Sequence, residues 1–117
     1  MTLVTQRLSG PAETRGMRQT RIRTAIPVEI CTGGRVVEGT VRNASHGGMF
    51  VETRAVPAQG EPVSLRFSTR DEIPIELTGL VWWTTEDSPY RHARRGFGLR
   101  LLEDDVRYSA MLSRMAS

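Results

Sequence analysis

Apolar and polar residues alternate through most of this chain, interrupted every few positions by glycine or proline. In Pro62–Ser68 (PVSLRFS), Val63, Leu65 and Phe67 fall on one face and Ser64, Arg66 and Ser68 on the other, which predicts a half-buried strand. Pro74–Thr84 (PIELTGLVWWT) predicts a longer one with Ile75, Leu77 and Val81 inward, and 96–102 (GFGLRLL) places Phe97, Leu99 and Leu101 together. Upstream, 27–31 (PVEIC) and 35–42 (RVVEGTVR) flank a Gly33-Gly34 turn, with Gly39 a candidate bulge, and Gly48–Glu52 (GMFVE) completes the set. Six short strands with no helix between them predict an all-β fold, a six-stranded antiparallel sheet closed into a small barrel, because closure removes exposed edges. Helical spacing occurs only at the C-terminus. There Glu103-Asp104-Asp105 offers capping carboxylates ahead of Val106, Ala110, Met111, Leu112 and Met115, predicting a short helix over about 104–115 that plugs one end of the barrel. A face of Tyr108, Met111 and Met115 would alternatively suit a partner protein.

A chain of 117 residues has room for one domain. The expected division is a flexible basic N-terminal arm over 1–17 and a single domain over 18–117, with the barrel at about 26–102. Hydrophobic residues at 38% and charged residues at 25% exclude wholesale disorder. No apolar run approaches the ~18–20 residues of a membrane span, so no membrane insertion is expected. The first residues lack the apolar core of a signal peptide, which points to a cytoplasmic protein. The single cysteine, Cys31, excludes an internal disulfide framework and reads as a buried, inert thiol.

Charge changes the picture more than composition does. All 16 basic residues are arginines, which excludes a P-loop lysine, a Schiff base and a lysine general base. Up to Ala25 the chain carries Arg7, Arg15, Arg18, Arg21 and Arg23 against Glu13 alone, a net of +4, whereas the remainder has 11 arginines and 12 acids. The positive charge belongs to an arm in front of a nearly neutral domain, and basic arms commonly meet phosphate.

Signals for catalysis are weak. His46 and His92 are far apart and neither has metal-ligand spacing to another histidine. Asn43-Ala44-Ser45-His46-Gly47 has asparagine where a nucleophile elbow has glycine, and it lacks the αβ pattern around it. No pair of carboxylates is poised for acid–base work. The reading is a protein that is not an enzyme, with no metal site and no cofactor.

The informative segment is 42–50, RNASHGGMF. Asn43 and Ser45 can bond nearby backbone amides and the glycines permit positive φ, so the stretch is turn chemistry between strands. Ahead of it lies the arginine-rich arm. Behind it come Gly79, Val81, Trp82 and Trp83, then Arg94-Arg95-Gly96-Phe97-Gly98-Leu99. This ensemble resembles the PilZ domain, the bacterial receptor module for cyclic di-GMP, from about Arg18 to Leu102. The family carries an RxxxR pair in its arm and a (D/N)xSxxG turn between barrel strands. Asn43, Ser45 and Gly48 meet the second motif in full. The first is displaced: the family's interval from Asn43 puts one arginine at Arg21 and its partner at Met17, whereas the chain has Arg18-Gln19-Thr20-Arg21, with Arg23 as a further neighbour. A long-stemmed guanidinium can absorb a one-residue slip, or the slip can cost nucleotide binding.

The resemblance implies a cyclic di-GMP site formed by Arg18, Arg21, Arg23, Asn43, Ser45 and Gly48. It also implies a ligand-ordered arm that signals to an effector protein in motility, pilus or exopolysaccharide control, with the receptor a monomer or a ligand-linked dimer. The chemistry agrees, since an arginine fork can bond guanine O6 and N7, bond phosphate, or stack on a base. Two other classes remain. One is a PilZ-like adaptor that no longer binds nucleotide. The other is a small basic barrel for nucleic acid, disfavoured because charge confined to the arm is a poor track for a phosphate backbone.

Overall fold

The computed structural model describes residues 21–87 and 93–116. The arm expected over 1–17, Arg18 and His92 lie outside the described residues. Six strands, β1 (Ile22–Thr32), β2 (Arg35–Ala44), β3 (Gly48–Glu52), β4 (Pro62–Ser68), β5 (Pro74–Thr84) and β6 (Gly96–Leu101), precede one helix, α1 (Val106–Ala116). Every strand pair is antiparallel, and the order β1-β2-β3-β6-β5-β4 closes through β1–β4 into a barrel. The alternation read from the sequence is the alternation of burial. Val63, Leu65 and Phe67 of β4 and Ile75, Leu77 and Val81 of β5 point into the core, with Phe97 and Leu99 of β6.

Departures from the expected elements have local causes. β1 begins at Ile22, five residues before Pro27, because Ile22, Thr24 and Ile26 continue the alternating half-burial. Its inward set is Val28, Ile30 and Thr32, so Cys31 points outward and is half-buried, not buried. Gly39 lies in regular register opposite Val28; the β1–β2 pairing shifts instead between Arg23 and Ile26, and the β2–β3 pairing between Val41 and Asn43. A third shift, in β5–β6, falls between Val81 and Trp83 and leaves Trp82 as the extra residue.

Helix α1 is capped by Asp105, whose carboxylate accepts from the Tyr108 amide (2.9 Å) and whose carbonyl accepts from Ser109 (2.9 Å). It buries Tyr108, Met111 and Leu112 against the barrel beside β1, while Val106 is 86% exposed and Ala110 is exposed as well. The packed face is therefore rotated from the expected one. Positions 108, 111 and 112 share a stripe one turn wide, and Val106 sits at the first helical position, ahead of that contact.

Gly48 opens β3 at a point where strands meet too closely for a side chain. A Cβ there would stand 2.5 Å from the Leu99 carbonyl oxygen, a backbone atom that cannot swing aside. Gly48→Ala is expected to lower stability by about 1–3 kcal/mol through overpacking. Thermal melting checks this, and an unchanged melting point would mean that β3 and β6 separate freely.

At the far end of β3, Glu52 accepts from Arg42 Nε (2.7 Å) and Arg94 Nη1 (3.3 Å). The Arg42 hydrogen bond, more than the charges around it, holds the Glu52 carboxyl below its ordinary value. A depressed folded-state value means that the contact stabilises above the unfolded glutamate value of ~4.3 and is lost as pH falls through the folded one. The stability gap between wild type and Glu52→Gln should be present at pH 7 and close as the pH is lowered past 4. A gap of constant size across denaturation curves from pH 7 to 3 would overturn that linkage.

Candidate nucleotide-binding face

The two register shifts at Arg42 and Trp82 decide which side chains face out. Val41 is inward; strict alternation would bring Asn43 inward too, but the extra residue Arg42 turns Asn43 out and Ala44 in. Trp82 has the same effect in β5, putting Trp83 outside and Thr84 inside. Cross-strand partners share a face, so the pairings Arg23–Asn43, Asn43–Phe50, Phe50–Gly98 and Gly98–Trp83 make one outward row across β1, β2, β3, β6 and β5. Phe50 and Trp83 stack within it, with centroids 5.6 Å apart and planes 22° apart. The indole lies over Gly98, where a Cβ would meet Trp83 Nε1 at 2.2 Å. In the next row the Arg100 guanidinium covers the Trp82 ring at 4.5 Å.

Arg21, just ahead of β1, is exposed and donates from Nη1 to Asn43 Oδ1 at 2.6 Å. Three expected site residues, Arg21, Arg23 and Asn43, are thus gathered at one end of the aromatic row. Ser45 and Gly48 adjoin them but face another way. Ser45 is 2% exposed; its amide donates to the Gly48 carbonyl (2.8 Å) and its hydroxyl lies 3.2 Å from the same oxygen. The Gly47 carbonyl accepts from the Leu101 amide at 2.9 Å. In this state both residues shape the turn. Arg18 lies outside the described residues.

Sequence reasoning does not single out every participant. It marks Phe50 only as part of a strand, and the stacking of that ring on Trp83 depends on the bulge at Trp82. The consecutive tryptophans breaking alternation at the end of β5 are the available signal. It places Tyr108 on a helix face, yet the Tyr108 hydroxyl reaches the Ser45 carbonyl at 2.6 Å from 63 residues away. Burial raises the Tyr108 phenol well above its ordinary value, opposed in part by the charge of Arg21.

A concavity of about 1760 Å³ lies elsewhere, lined mainly by residues of β1, β2, β4 and β5. Its charges are in part already paired, Glu29 with Arg66 (3.0 Å) and Glu52 with Arg42. Asn43, Arg21 and Trp83 do not line it. Among the described residues no group of three or more His, Cys, Asp or Glu side chains could hold a metal, and no helix is long and apolar enough to cross a membrane.

Similarity to known proteins bears on the fold and the family. No curated protein sequence matches the chain. Among solved structures, the PilZ domain of CeSA from a cellulose-synthesizing bacterium superposes with a TM-score of 0.56 at 23% identity, covering 82% of this chain and 93% of that one. The Bacillus subtilis inhibitor of motility (MotI/DgrA) superposes with a TM-score of 0.67 at 18% identity over 87% of this chain. This chain spans 50% of that protein's length. At these identities the likeness speaks for the fold. The family model for the PilZ domain matches residues 15–116, nearly the whole sequence, and the chain belongs to the PilZ domain family.

Proposed function

We propose that this chain is a cyclic di-GMP receptor that reads the nucleotide on the outer row of its barrel and passes the signal to an effector protein. PilZ domains are generally receptors or adaptors for this second messenger, and binding, not catalysis, is the role proposed here. The observation that carries the reading is the Arg21–Asn43 hydrogen bond, which joins the arginine-rich arm to the asparagine of the turn motif across β1 and β2. A guanidinium resting on a neutral amide keeps donors for an incoming anion or a guanine Hoogsteen edge. Asn43 can turn its amide to a base, and the Phe50–Trp83 stack beside it offers a base an aromatic surface. Arg23 already stands in β1 opposite Asn43; Arg18 and Arg21, ahead of that strand, would close over the ligand, with the ordering opposed by several kcal/mol. Motility, pilus assembly and exopolysaccharide synthesis are the outputs proposed for the effector. The competing reading is an adaptor that binds no nucleotide, and the displaced arginine spacing is what favours it.

Cyclic di-GMP should raise the melting temperature, since a ligand specific to the folded state stabilises by mass action. Arg21→Ala should weaken binding at least tenfold, consistent with loss of a contact of about 1–3 kcal/mol, while the barrel still folds. Calorimetric titration with GTP and linear pGpG as controls checks both. A flat wild-type titration would leave the adaptor reading standing.

The irregular spacing has its own test. If Arg18 replaces the arginine missing at 17, Arg18→Ala should cost nearly as much as Arg21→Ala. The double variant should then be non-additive, because both side chains hold one ligand. Met17→Arg in the Arg18→Ala background should restore binding. Wild-type affinity in Arg18→Ala would remove Arg18 from the site and make Arg23 the next candidate.

A further inference from the structure

Tyr108 of α1 reaches across to the motif turn. Its main chain is fixed in the first helical turn by the Asp105 cap, and its ring is 2% exposed in the core with Met111 and Leu112. A buried phenol needs a hydrogen-bond partner, and this one is the Ser45 carbonyl, at 2.6 Å. The turn at 45–48 is therefore held from two sides. On the barrel side the Leu101 amide donates to the Gly47 carbonyl, and on the helix side the Tyr108 hydroxyl donates to Ser45. The charge of Arg21 is felt at the same hydroxyl.

We propose that Tyr108 is a positioning residue for the nucleotide site: its hydroxyl sets the turn at 45–48 and links the seating of α1 to ligand binding. This rests on the reading of that turn as a cyclic di-GMP site. Linkage runs both ways: a ligand that fixes the turn tightens α1 onto the barrel, and a partner that pulls α1 away weakens the ligand. The helix is then the element through which an effector senses occupancy, in addition to the arm.

The test compares wild type with Tyr108→Phe, which keeps the ring and removes the hydroxyl, and with Asp105→Ala, which loosens the helix start and leaves the phenol in place. Amide hydrogen exchange without ligand should be several-fold faster at 45–48 in Tyr108→Phe, with β4 and β5 unchanged. Affinity for cyclic di-GMP should fall about tenfold in Tyr108→Phe, equivalent to ~1.4 kcal/mol, and in the same direction in Asp105→Ala. The ligand should slow exchange in α1 of wild type more than in β4, and this excess should vanish in Tyr108→Phe. A purely structural tyrosine would instead speed exchange throughout the barrel and leave the ligand-induced excess in place, which overturns the proposal. So would wild-type affinity and wild-type turn exchange in Tyr108→Phe. A wild-type protein that binds no nucleotide would sink the receptor reading separately; turn exchange would then still decide whether Tyr108 holds the turn.

Discussion

Two of the three register shifts, the single-residue insertions at Arg42 and at Trp82, determine which side chains this barrel presents along its outward row. Side-chain direction in a strand has a period of two, so one extra residue inverts everything beyond it. The insertion at Arg42 brings Asn43 out and sends Ala44 into the core; the insertion at Trp82 does the same for Trp83 and Thr84. Between them β3 and β6 pair without a shift, so both inversions land on one row and Phe50 meets Trp83 there. Remove either and the asparagine or the indole would be forced inward. The core could not accept them without an unsatisfied amide or gross overpacking.

The same shifts divide labour within the turn motif. Asn43 precedes the turn on the outer face and can rotate its amide toward a ligand, whereas Ser45 and Gly48 look inward. The Ser45 hydroxyl and amide both address the Gly48 carbonyl, and the missing side chain of Gly48 lets β3 lie against the Leu99 carbonyl. Serine is favoured because it is small and can bond its own turn, and glycine because any Cβ would collide with backbone. Assigning all three residues to ligand contact would overlook the geometry that two of them supply.

Much of the architecture was legible because burial tracks alternation. β3, β4 and β5 carry unbroken or nearly unbroken patterns bounded by glycine or proline, and their limits match the expected ones. The start of β1 was harder to see, because the arginines at 21 and 23 read as arm while Ile22 and Ile26 already belong to the sheet. The bulges were not legible. Gly39 was the natural suspect as a glycine inside a strand, but it sits in register; the shifts fall instead between Arg23 and Ile26, at Arg42 and at Trp82, and only the paired tryptophans break the alternation visibly. The motif turn was recognisable from its residues; the contacts that hold it were not, since the bond from Tyr108 spans 63 positions and depends on how α1 is rotated.

That rotation matters for how a signal could leave the domain. Had α1 packed on Val106 and Ala110, its tyrosine would point elsewhere and the helix would be a passive plug. Packed on Tyr108, Met111 and Leu112, it shares a buried hydrogen bond with the turn and leaves Val106 and Met115 exposed. An element joined to the core by a few apolar side chains and to the site by one hydrogen bond can change its seating without unfolding the barrel, since local opening costs less than global unfolding. Arg21 at one end of the row and the helix behind the turn are both attached to a closed sheet by side-chain contacts of this kind. The barrel itself, with every strand paired on both edges, is the rigid reference against which either can move.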